Sequence, residues 1–386
     1  MKARSRVGAV VAALGLCGLG GGRSLPAQEV AHHRRAPLFV STSATPSVGV
    51  DGAVLRGPHR DAAVLWRVRT GRRVFSSPGL TRDGWAVFGS LDGTIQAVDR
   101  DGIVRWSHRR PSRVFSSPAT VGELTVIGSD AREVVALDAR GSLVWRATLP
   151  QDMDSPVFAL PDGDLLVVSG DLRAFSRTGE LRWTAALAGH VYGPLARSSG
   201  GELLVPELRG SVAVIAPTDG RLVRRVELGS FLYGGPLPLT DGAFVVGLAD
   251  GTVRCIDAEG GTRWSFRTEG AARRLGVRAT PALRPDGVIV VGAEDGGIYG
   301  LRVADGTQVF RVATGGPVRS RACIDRDGWA YLGGEDDQLH ALAPDNTEAW
   351  RVSIGADVDS GPRLLAEGLL VVGADDGALH AIAGTP

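Results

Sequence analysis

Three pairs of adjacent carboxylates are the side chains whose type and spacing most directly suggest chemistry. Carboxylate oxygens are preferred ligands of Ca²⁺, which takes about six to eight oxygens in all. Each pair, however, falls between two short apolar runs, at the place where Leu91-Asp92 stands in an equivalent stretch. We therefore interpret them as solvated residues of hairpin turns and predict no metal site. The pairs are Glu294-Asp295, Asp336-Asp337 and Asp375-Asp376.

Two histidines, His340 and His380, lie in matching Leu-His-Ala triplets and could suggest a zinc pair. In a repetitive fold such residues stand in corresponding strands of neighbouring sheets, about 10 Å apart, which is too far for one ion without further ligands. The sequence contains neither a Gly-x-Ser-x-Gly nor a His-Glu-x-x-His motif. No catalytic constellation is visible, so we favour a non-enzymatic role and leave enzymatic activity open.

Charge and length limit the classes of protein that this sequence can represent. The 386 residues carry a formal net charge of +1 and no basic run in their repetitive part, so we expect no nucleic-acid partner. A single core stops growing at roughly 250 to 300 residues. The chain must therefore form several domains or a modular array.

A repeat of about forty residues decides for the array. The stretch from Val74 to Trp106 predicts four strands, at about 74–77, 85–89, 94–99 and 103–106, separated by Asp-Gly turns. A proline after a short β-prone run marks each of eight units, with alanine replacing it once. These anchors are Pro78, Pro118, Pro156, Pro194, Pro236, Pro281, Ala322 and Pro362.

The two ends of the repetitive part predict how the array closes. The last unit stops before its fourth strand, whereas an extra strand-like segment, Val64 to Val68, precedes the first unit. This segment can complete the last unit, which removes the open sheet edges of a linear array. We therefore predict an all-β fold, an eight-bladed β-propeller of four-stranded antiparallel blades, closed by the N-terminal strand.

The end of each unit carries the pattern Ala-x-Asp-x-x-Gly-x-x-x-Trp, with Arg224 and Phe310 in the Trp place of two units. In this pattern the chain resembles the pyrroloquinoline-quinone-type (PQQ-type) β-propeller repeats, whose outer strands carry a tryptophan-docking motif. The resemblance implies that these tryptophans fill the wedges between blades. They are Trp66, Trp106, Trp145, Trp183, Trp264 and Trp350.

The resemblance implies two functional classes. Quinoprotein dehydrogenases of this repeat family hold their quinone and calcium with vicinal cysteines and an asparagine, but this sequence has no adjacent cysteines and Asn346 lies in an outer turn. We therefore predict no cofactor. In layout the chain is similar to the propeller lipoproteins of the outer-membrane β-barrel assembly machinery, which implies a non-catalytic scaffold for another envelope protein, peptide or glycan. A PQQ-dependent dehydrogenase or another funnel-site enzyme is the alternative.

Binding residues are expected where the copies differ, and the residue three before each anchor differs most. If the first strand of each blade is innermost, these residues ring one end of the channel; the alternative is that they only pack it. Aromatic residues and arginines are typical of interfaces. The candidates are Phe75, Phe115, Tyr233, Arg278, Arg319 and Asp359, with Met153 and Val191 at the same spacing.

The N-terminus predicts export. Basic residues, a weakly apolar run from Val7 to Leu19 and a small residue at Ala27 indicate a signal peptide over 1–27. Lipidation at Cys17 is the alternative. Residues 28–60 are predicted as a linker or extended arm and 61–386 as the propeller. No later stretch reaches the roughly 20 apolar residues of a membrane span, so we expect a periplasmic or secreted protein.

Overall fold

The structure, a computed structural model, describes residues 54–384. The predicted signal peptide, Cys17 and the predicted linker up to residue 53 lie outside the described residues. Within them the chain forms eight four-stranded antiparallel sheets, which confirms the predicted eight-bladed propeller. No helix of the described residues is long and apolar enough to cross a membrane.

The first four blades use consecutive strands, ordered from the centre outwards. Blade 1 comprises β2 (Gly79–Leu80), β3 (Ala86–Gly89), β4 (Thr94–Val98) and β5 (Val104–Arg109). Blade 2 comprises β6 (Ala119–Val121), β7 (Leu124–Ser129), β8 (Glu133–Leu137) and β9 (Leu143–Thr148). Blade 3 comprises β10 (Phe158–Ala159), β11 (Leu165–Ser169), β12 (Asp171–Phe175) and β13 (Leu181–Ala186). Blade 4 comprises β14 (Ala196–Arg197), β15 (Leu203–Glu207), β16 (Ser211–Ile215) and β17 (Leu222–Glu227).

Blades 5 to 7 follow the same plan, and a short 3-10 helix (Glu269–Arg273) separates blades 5 and 6. Blade 5 comprises β18 (Leu237–Pro238), β19 (Phe244–Gly247), β20 (Thr252–Ile256) and β21 (Thr262–Arg267). Blade 6 comprises β22 (Ala282–Leu283), β23 (Val288–Gly292), β24 (Gly297–Arg302) and β25 (Gln308–Ala313). Blade 7 comprises β26 (Cys323–Ile324), β27 (Ala330–Gly333), β28 (Gln338–Leu342) and β29 (Glu348–Ser353).

Blade 8 closes the ring with both ends of the described chain. Its inner strands are β30 (Arg363–Ala366), β31 (Leu369–Gly373) and β32 (Ala378–Gly384), and its outer strand is β1 (Ala62–Arg69). Strand β1 pairs antiparallel with β32, with a bulge between Val64 and Trp66. The predicted closure by an N-terminal strand is confirmed.

The innermost strands begin later than predicted. The sequence predicted a strand at 74–77, but the ladder starts at Gly79, after Pro78. The polar groups of 74–77 bond to the neighbouring blades instead: Val74 N–H donates to the Ala374 carbonyl of blade 8, and Ser77 N–H donates to the Ser117 hydroxyl. Pro78 has no N–H to add to a ladder. The segment is therefore a connector that crosses from one blade to the next.

The cores lie between neighbouring blades rather than within one sheet. The cluster between blades 1 and 2, for example, joins Ile95 and Trp106 to Val114, Ile127 and Leu137. Strand β3 is buried along its whole length, because both of its faces meet another blade. Burial of this kind stabilises by roughly 1.5 to 3 kcal/mol for each large apolar side chain.

The tryptophans of the outer strands dock against the turn before the outer strand of the next blade. A Cβ on Gly141 would lie 2.7 Å from the Trp106 ring, and Gly102, Gly179, Gly220 and Gly306 face Trp66, Trp145, Trp183 and Trp264 in the same way. Each of these glycines has a positive φ, so the turn needs glycine both for its backbone and for the indole. The indole N–H groups of Trp66, Trp145, Trp183 and Trp264 donate to the carbonyls of Arg100, Arg177, Pro217 and Val303 at 3.0, 2.7, 3.1 and 3.0 Å.

Trp350 of blade 7 docks on the residues that precede β1. Its indole N–H donates to the Pro58 carbonyl at 3.0 Å, and the Tyr331 hydroxyl lies close to the same oxygen. His59 bonds to Asp325 at 2.6 Å and stacks on Trp329, a second tryptophan of blade 7. Blade 8 is built from both chain ends and has no continuous turn before its outer strand, so the segment 57–59 takes its place.

Candidate functional site

The connectors between blades form one face of the propeller together with the turns between the second and third strands. A turn N–H donates to a connector carbonyl in seven of the eight described blades, as from Leu91 to Arg73 and from Asp130 to Arg113. The same bond runs from Leu208 to His190, Ala249 to Phe231, Glu294 to Gly276, Glu335 to Pro317 and Asp375 to Asp357. These bonds align the connectors and define which residues are equivalent.

In each connector, the residue two positions after the bonded carbonyl belongs to a set that we call the interblade ring. Blade 3 contributes the equivalent residue. The ring runs round the face as Phe75, Phe115, Asp154, Tyr192, Tyr233, Arg278, Arg319 and Asp359. All six candidates expected from the sequence belong to it. Whether they bind a partner stays a prediction.

Blades 3 and 4 correct the spacing rule. Counting three residues back from the proline selects Met153 and Val191, but both are core residues, 0% and 6% exposed. Met153 packs against Gly128 as Val114 packs against Gly89. The segment before the proline is one residue shorter in these blades, so Asp154 and Tyr192 take the ring positions. Aligning the buried aliphatic residue of each connector, rather than the proline, is the signal that identifies them.

An aromatic part of the ring covers blades 1, 2, 4 and 5. The rings of Phe75 and Phe115 stack at 5.9 Å, and both are largely buried, 3% and 9% exposed. Tyr192 stacks on Tyr233 at 6.5 Å, with Phe231 beside them. Phe75 and Phe115 therefore form the floor of the face, whereas Tyr192 and Phe231 are partly accessible.

An ionic part of the ring covers blades 6 and 7. The Arg278 guanidinium lies 4.3 Å from the centre of the Tyr233 ring, and its Nε is 2.7 Å from Glu294. Arg319 shares Glu294 at 3.1 Å and also pairs with Glu335. Each arginine is thus held in place by a carboxylate of the turn beside it, and the side chains are only about one-fifth exposed.

Carboxylates with raised pKa values lie beside this ionic part, at blade 8, and on the opposite side of the face, at blade 3. Burial and the nearby Asp375 raise the pKa of Asp359 to about 7, although Arg319 opposes the shift. Burial raises the pKa of Asp375 to about 6 despite Arg73, with Asp357 adding to the rise. On the far side of the face, burial together with Asp130 and Asp152 raises the pKa of Asp154 to about 6. At these points the nearby arginines do not offset burial and the repulsion between carboxylates.

The solvent-exposed groups of the face lie two positions before the interblade ring in each connector. Arg73 reaches Asp375 at 3.0 Å and Arg113 reaches Asp130 at 2.7 Å, with more than half of each arginine side chain exposed. Both guanidinium groups also lie over an aromatic ring, Arg73 over Phe75 and Arg113 over Phe115. Asp152 and His190 are exposed at the same position of their connectors, and Phe231 is partly exposed there.

Replacement of Asp359 by a neutral residue is expected to stabilise the folded protein in a pH-dependent way. The folded state holds its proton more tightly than the unfolded chain, so its contribution is complete below pH 3.8 and is lost as the pH rises through about 7. We expect Asp359→Asn to raise the free energy of unfolding by roughly 4 kcal/mol at about pH 8 and by only roughly 1.5 kcal/mol at about pH 5, at about 1.4 kcal/mol per pKa unit. Urea melts at both pH values measure this.

The matched control for that prediction is Asp101→Asn, at an exposed turn, which is expected to be neutral at both pH values. Four charged groups act on the carboxyl of Asp359: Asp357, Asp375, Arg73 and Arg319. A gain of equal size at both pH values would contradict the assignment, since it would have to come from packing rather than from charge.

The acidic pairs are less exposed than expected. Glu294 and Asp375 face the ring, with side chains 11% and 13% exposed. Asp336 is 6% exposed and contacts His340 at 3.1 Å. The interpretation as solvated turn residues is wrong for these three, because each of their turns packs under the connector of the next blade. Among residues 54–384, no group of three or more His, Cys, Asp or Glu side chains is arranged to hold a metal ion.

The two histidines of the Leu-His-Ala triplets are both fully buried and bonded within their own blades. His340 lies between Glu348 at 2.6 Å and Asp336. His380 contacts Asp376 at 3.0 Å, and burial lowers the pKa of its imidazole. Each histidine therefore ties the third strand of its blade to a turn or to the neighbouring strand.

Comparison with known proteins agrees with this architecture. The family model described as outer membrane protein assembly factor BamB matches residues 39–167, 168–323 and 294–385. The outer membrane protein assembly factor BamB of Nitrosomonas eutropha is 29% identical over 110 residues. That alignment spans 28% of this chain and only 25% of the relative's length.

Two solved structures share the fold. The crystal structure of BamB from Moraxella catarrhalis superposes with a TM-score of 0.69 at 14% identity, covering 83% of this chain and 99% of that one. The computationally designed Ika8 protein superposes with a TM-score of 0.65 at 16% identity, covering 84% and 99%. The family match extends over most of the sequence, and it confirms the PQQ-type propeller indicated by the repeats. This chain belongs to the family of the outer membrane protein assembly factor BamB.

Proposed function

We propose that this protein is an exported, non-catalytic scaffold of the cell envelope that binds another envelope protein at the face that carries the interblade ring. The observation that carries the proposal is the composition of that face. Its accessible part contains aromatic residues and arginines that pair with carboxylates. Phe75 and Phe115 form the buried floor between them. Aromatic residues and arginine supply most of the binding energy at protein interfaces.

The family supports the same proposal. Its description is an outer membrane assembly factor, which is a role among envelope proteins. We extend that role to this chain as a proposal, and place the protein in the periplasm or outside the cell. Mass analysis of the exported protein tests this: cleavage after Ala27 supports soluble export, and a lipid on Cys17 supports the anchored alternative.

The charge of the face favours a protein or peptide with exposed basic residues over a neutral glycan. Burial and mutual repulsion raise the pKa of Asp154, Asp359 and Asp375. A cationic side chain brought among them relieves that repulsion. Complementary charge of this kind speeds association and selects the partner.

The test captures partners on the full chain from envelope extracts of the native host, with cross-linking and mass spectrometry. The face variant combines Asp152→Arg with Phe231→Ala, and the control is Asp101→Arg at an exposed outer turn. We expect one protein to be captured by the wild type and the control, and at least about tenfold less of it by the face variant, which corresponds to about 1.4 kcal/mol.

Equal capture by the face variant would contradict the proposed site. The enzymatic alternative has its own assay, a dye-linked dehydrogenase measurement and an absorbance spectrum after addition of quinone and calcium. Turnover in that assay, with no partner captured, would replace the scaffold by a funnel-site enzyme.

A further inference from the structure

The outer strands of five consecutive blades begin with exposed aliphatic side chains. Among residues 54–384, nine large apolar residues are exposed, and eight of them belong to blades 8, 1, 2, 3 and 4. Each lies within three residues before the docking tryptophan or, in blade 4, before Arg224 in its place. We call this set the aliphatic arc. Its members are Leu65, Ile103, Val104, Leu143, Val144, Leu181, Leu222 and Val223, which are 39% to 61% exposed.

The other three blades show that the fold does not require the aliphatic arc. At the same positions they carry mostly polar or small residues, and Val309 is the exception. The equivalent pairs are Thr262-Arg263 in blade 5, Gln308-Val309 in blade 6 and Glu348-Ala349 in blade 7. Single exposed apolar residues are ordinary, whereas a contiguous set of them marks an interaction surface.

Exposed arginines surround the aliphatic arc. The outer strands of its five blades and the residues just before them contribute Arg60, Arg67, Arg69, Arg100, Arg105, Arg109, Arg140, Arg146, Arg177, Arg182 and Arg221. Arg105 pairs with Asp99 and Arg182 pairs with Glu180, and the others form no ion pair within residues 54–384. The exposed carboxylates of the same segments are fewer, namely Asp61, Asp101, Glu180, Asp219 and Glu227. The surface round the arc is therefore positively charged.

The aliphatic arc lies at the opposite end of the blades from the interblade ring. Each outer strand ends where the connector to the next blade begins, so its first residues lie beside the turn between the third and fourth strands. A contact made by the arc leaves the interblade ring accessible. An inference from the arc therefore stands independently of the proposed partner site.

We propose that the aliphatic arc and its arginines bind the surface of a bilayer that contains anionic lipids. Aliphatic side chains enter the boundary between headgroups and acyl chains, and cationic side chains are attracted to anionic headgroups. The same chemistry recurs on five blades, so neighbouring blades offer an equivalent contact wherever the wall of the ring meets the surface. This repetition suits a laterally uniform bilayer better than a single protein epitope, and the shared positive charge opposes association of two copies through the arc.

Flotation of the full-length protein with lipid vesicles tests the proposal. Every sample carries Cys17→Ser, which excludes a lipid anchor at that residue. We expect saturable binding to vesicles of phosphatidylcholine with phosphatidylglycerol, and at least about tenfold weaker binding to phosphatidylcholine alone. Binding to the anionic vesicles should decrease with rising salt, because salt screens the attraction between charges.

An arc variant tests the apolar part of the contact. It combines Leu65→Gln, Ile103→Gln, Val144→Gln, Leu181→Gln and Leu222→Gln. We expect this variant to bind the anionic vesicles at least about tenfold more weakly. Val309→Gln is the matched control at the equivalent position of blade 6, and it should bind like the wild type. The replaced side chains are exposed, so circular dichroism melts should show that both proteins are folded.

A second variant tests the charged part. Arg67→Gln combined with Arg146→Gln changes the residues that follow two docking tryptophans, and both arginines are exposed. Binding to the anionic vesicles should become weaker and less dependent on salt. Arg351→Gln, at the same position of blade 7, is the matched control and should change neither property.

Three results would each overturn the proposal: no saturable binding to anionic vesicles, equal binding to neutral vesicles, or unchanged binding by the folded arc variant. If vesicles are not bound and the arc variant captures less protein from the envelope extract, the arc docks a protein instead. Self-association that is lost in the arc variant would assign the arc to a second copy. The Asp152→Arg, Phe231→Ala protein should still bind the vesicles, so failure of the partner site and failure of the arc are distinguishable.

Discussion

Removal of residues 1–69 is expected to abolish cooperative unfolding of the propeller. This truncation deletes β1, whose ladder with β32 runs from Ala62 to Arg69. It also removes Val64, Trp66 and Val68 from the clusters of blade 8 and its neighbours. At roughly 1.5 to 3 kcal/mol for each fully buried apolar side chain, and with Val64 and Trp66 only partly buried, the loss is about 5 kcal/mol. Domains are stable by only about 5 to 15 kcal/mol.

A shorter truncation that removes residues 1–53 is the control, because it keeps β1 and the segment 57–59. Thermal melts followed by circular dichroism, together with size-exclusion chromatography, distinguish the two proteins. The longer truncation leaves the edge of β32 open, and open edges promote association. If both truncated proteins melt at the same temperature as monomers, closure by β1 does not stabilise the ring.

Loss of a docking tryptophan is expected to have the second largest effect. Trp106 and Trp350 are 7% and 8% exposed. One packs against Gly141 and the other donates to the Pro58 carbonyl. Deleting a buried tryptophan side chain costs roughly 3 to 5 kcal/mol, so we expect Trp106→Ala and Trp350→Ala each to lower the free energy of unfolding by that amount in urea melts.

Trp85→Ala is the matched control, since Trp85 is only partly buried and packs against the edge of the cluster that contains Trp106. It should cost clearly less than either docking variant. In Trp350→Ala, hydrogen exchange of the amides of Gly57 and His59 should also become faster, because the segment loses its bond to the indole. Unchanged melting of both docking variants would rule out their role at the seams between blades.

The repeats predicted the fold well because the same physical requirement recurs in every copy. In five of the seams between blades, a turn Gly meets the outer-strand Trp of the neighbouring blade in the same geometry, as Gly141 meets Trp106. The closure by β1 was also predictable. A strand without a blade and a blade without a strand can both be read along the chain.

The candidate site was less predictable because it depends on register. The spacing rule counts back from the proline, but the proline of blades 3 and 4 lies one residue closer to the buried aliphatic residue of the connector. Met153 is therefore buried in the core and Asp154 lies on the face. The prediction that the acidic turns are solvated fails for a similar reason, since a turn that is exposed in an isolated hairpin is covered here by the connector of the next blade.

The sequence by itself determined the architecture, because turn chemistry, strand patterning and docking motifs are local signals that eight copies repeat. Only the tertiary structure decided which side chains meet. The stack of Phe75 on Phe115 and the carboxylate shared by Arg278 and Arg319 both join residues about forty positions apart. Those contacts arise from packing between blades, which depends on the three-dimensional ring rather than on any local pattern.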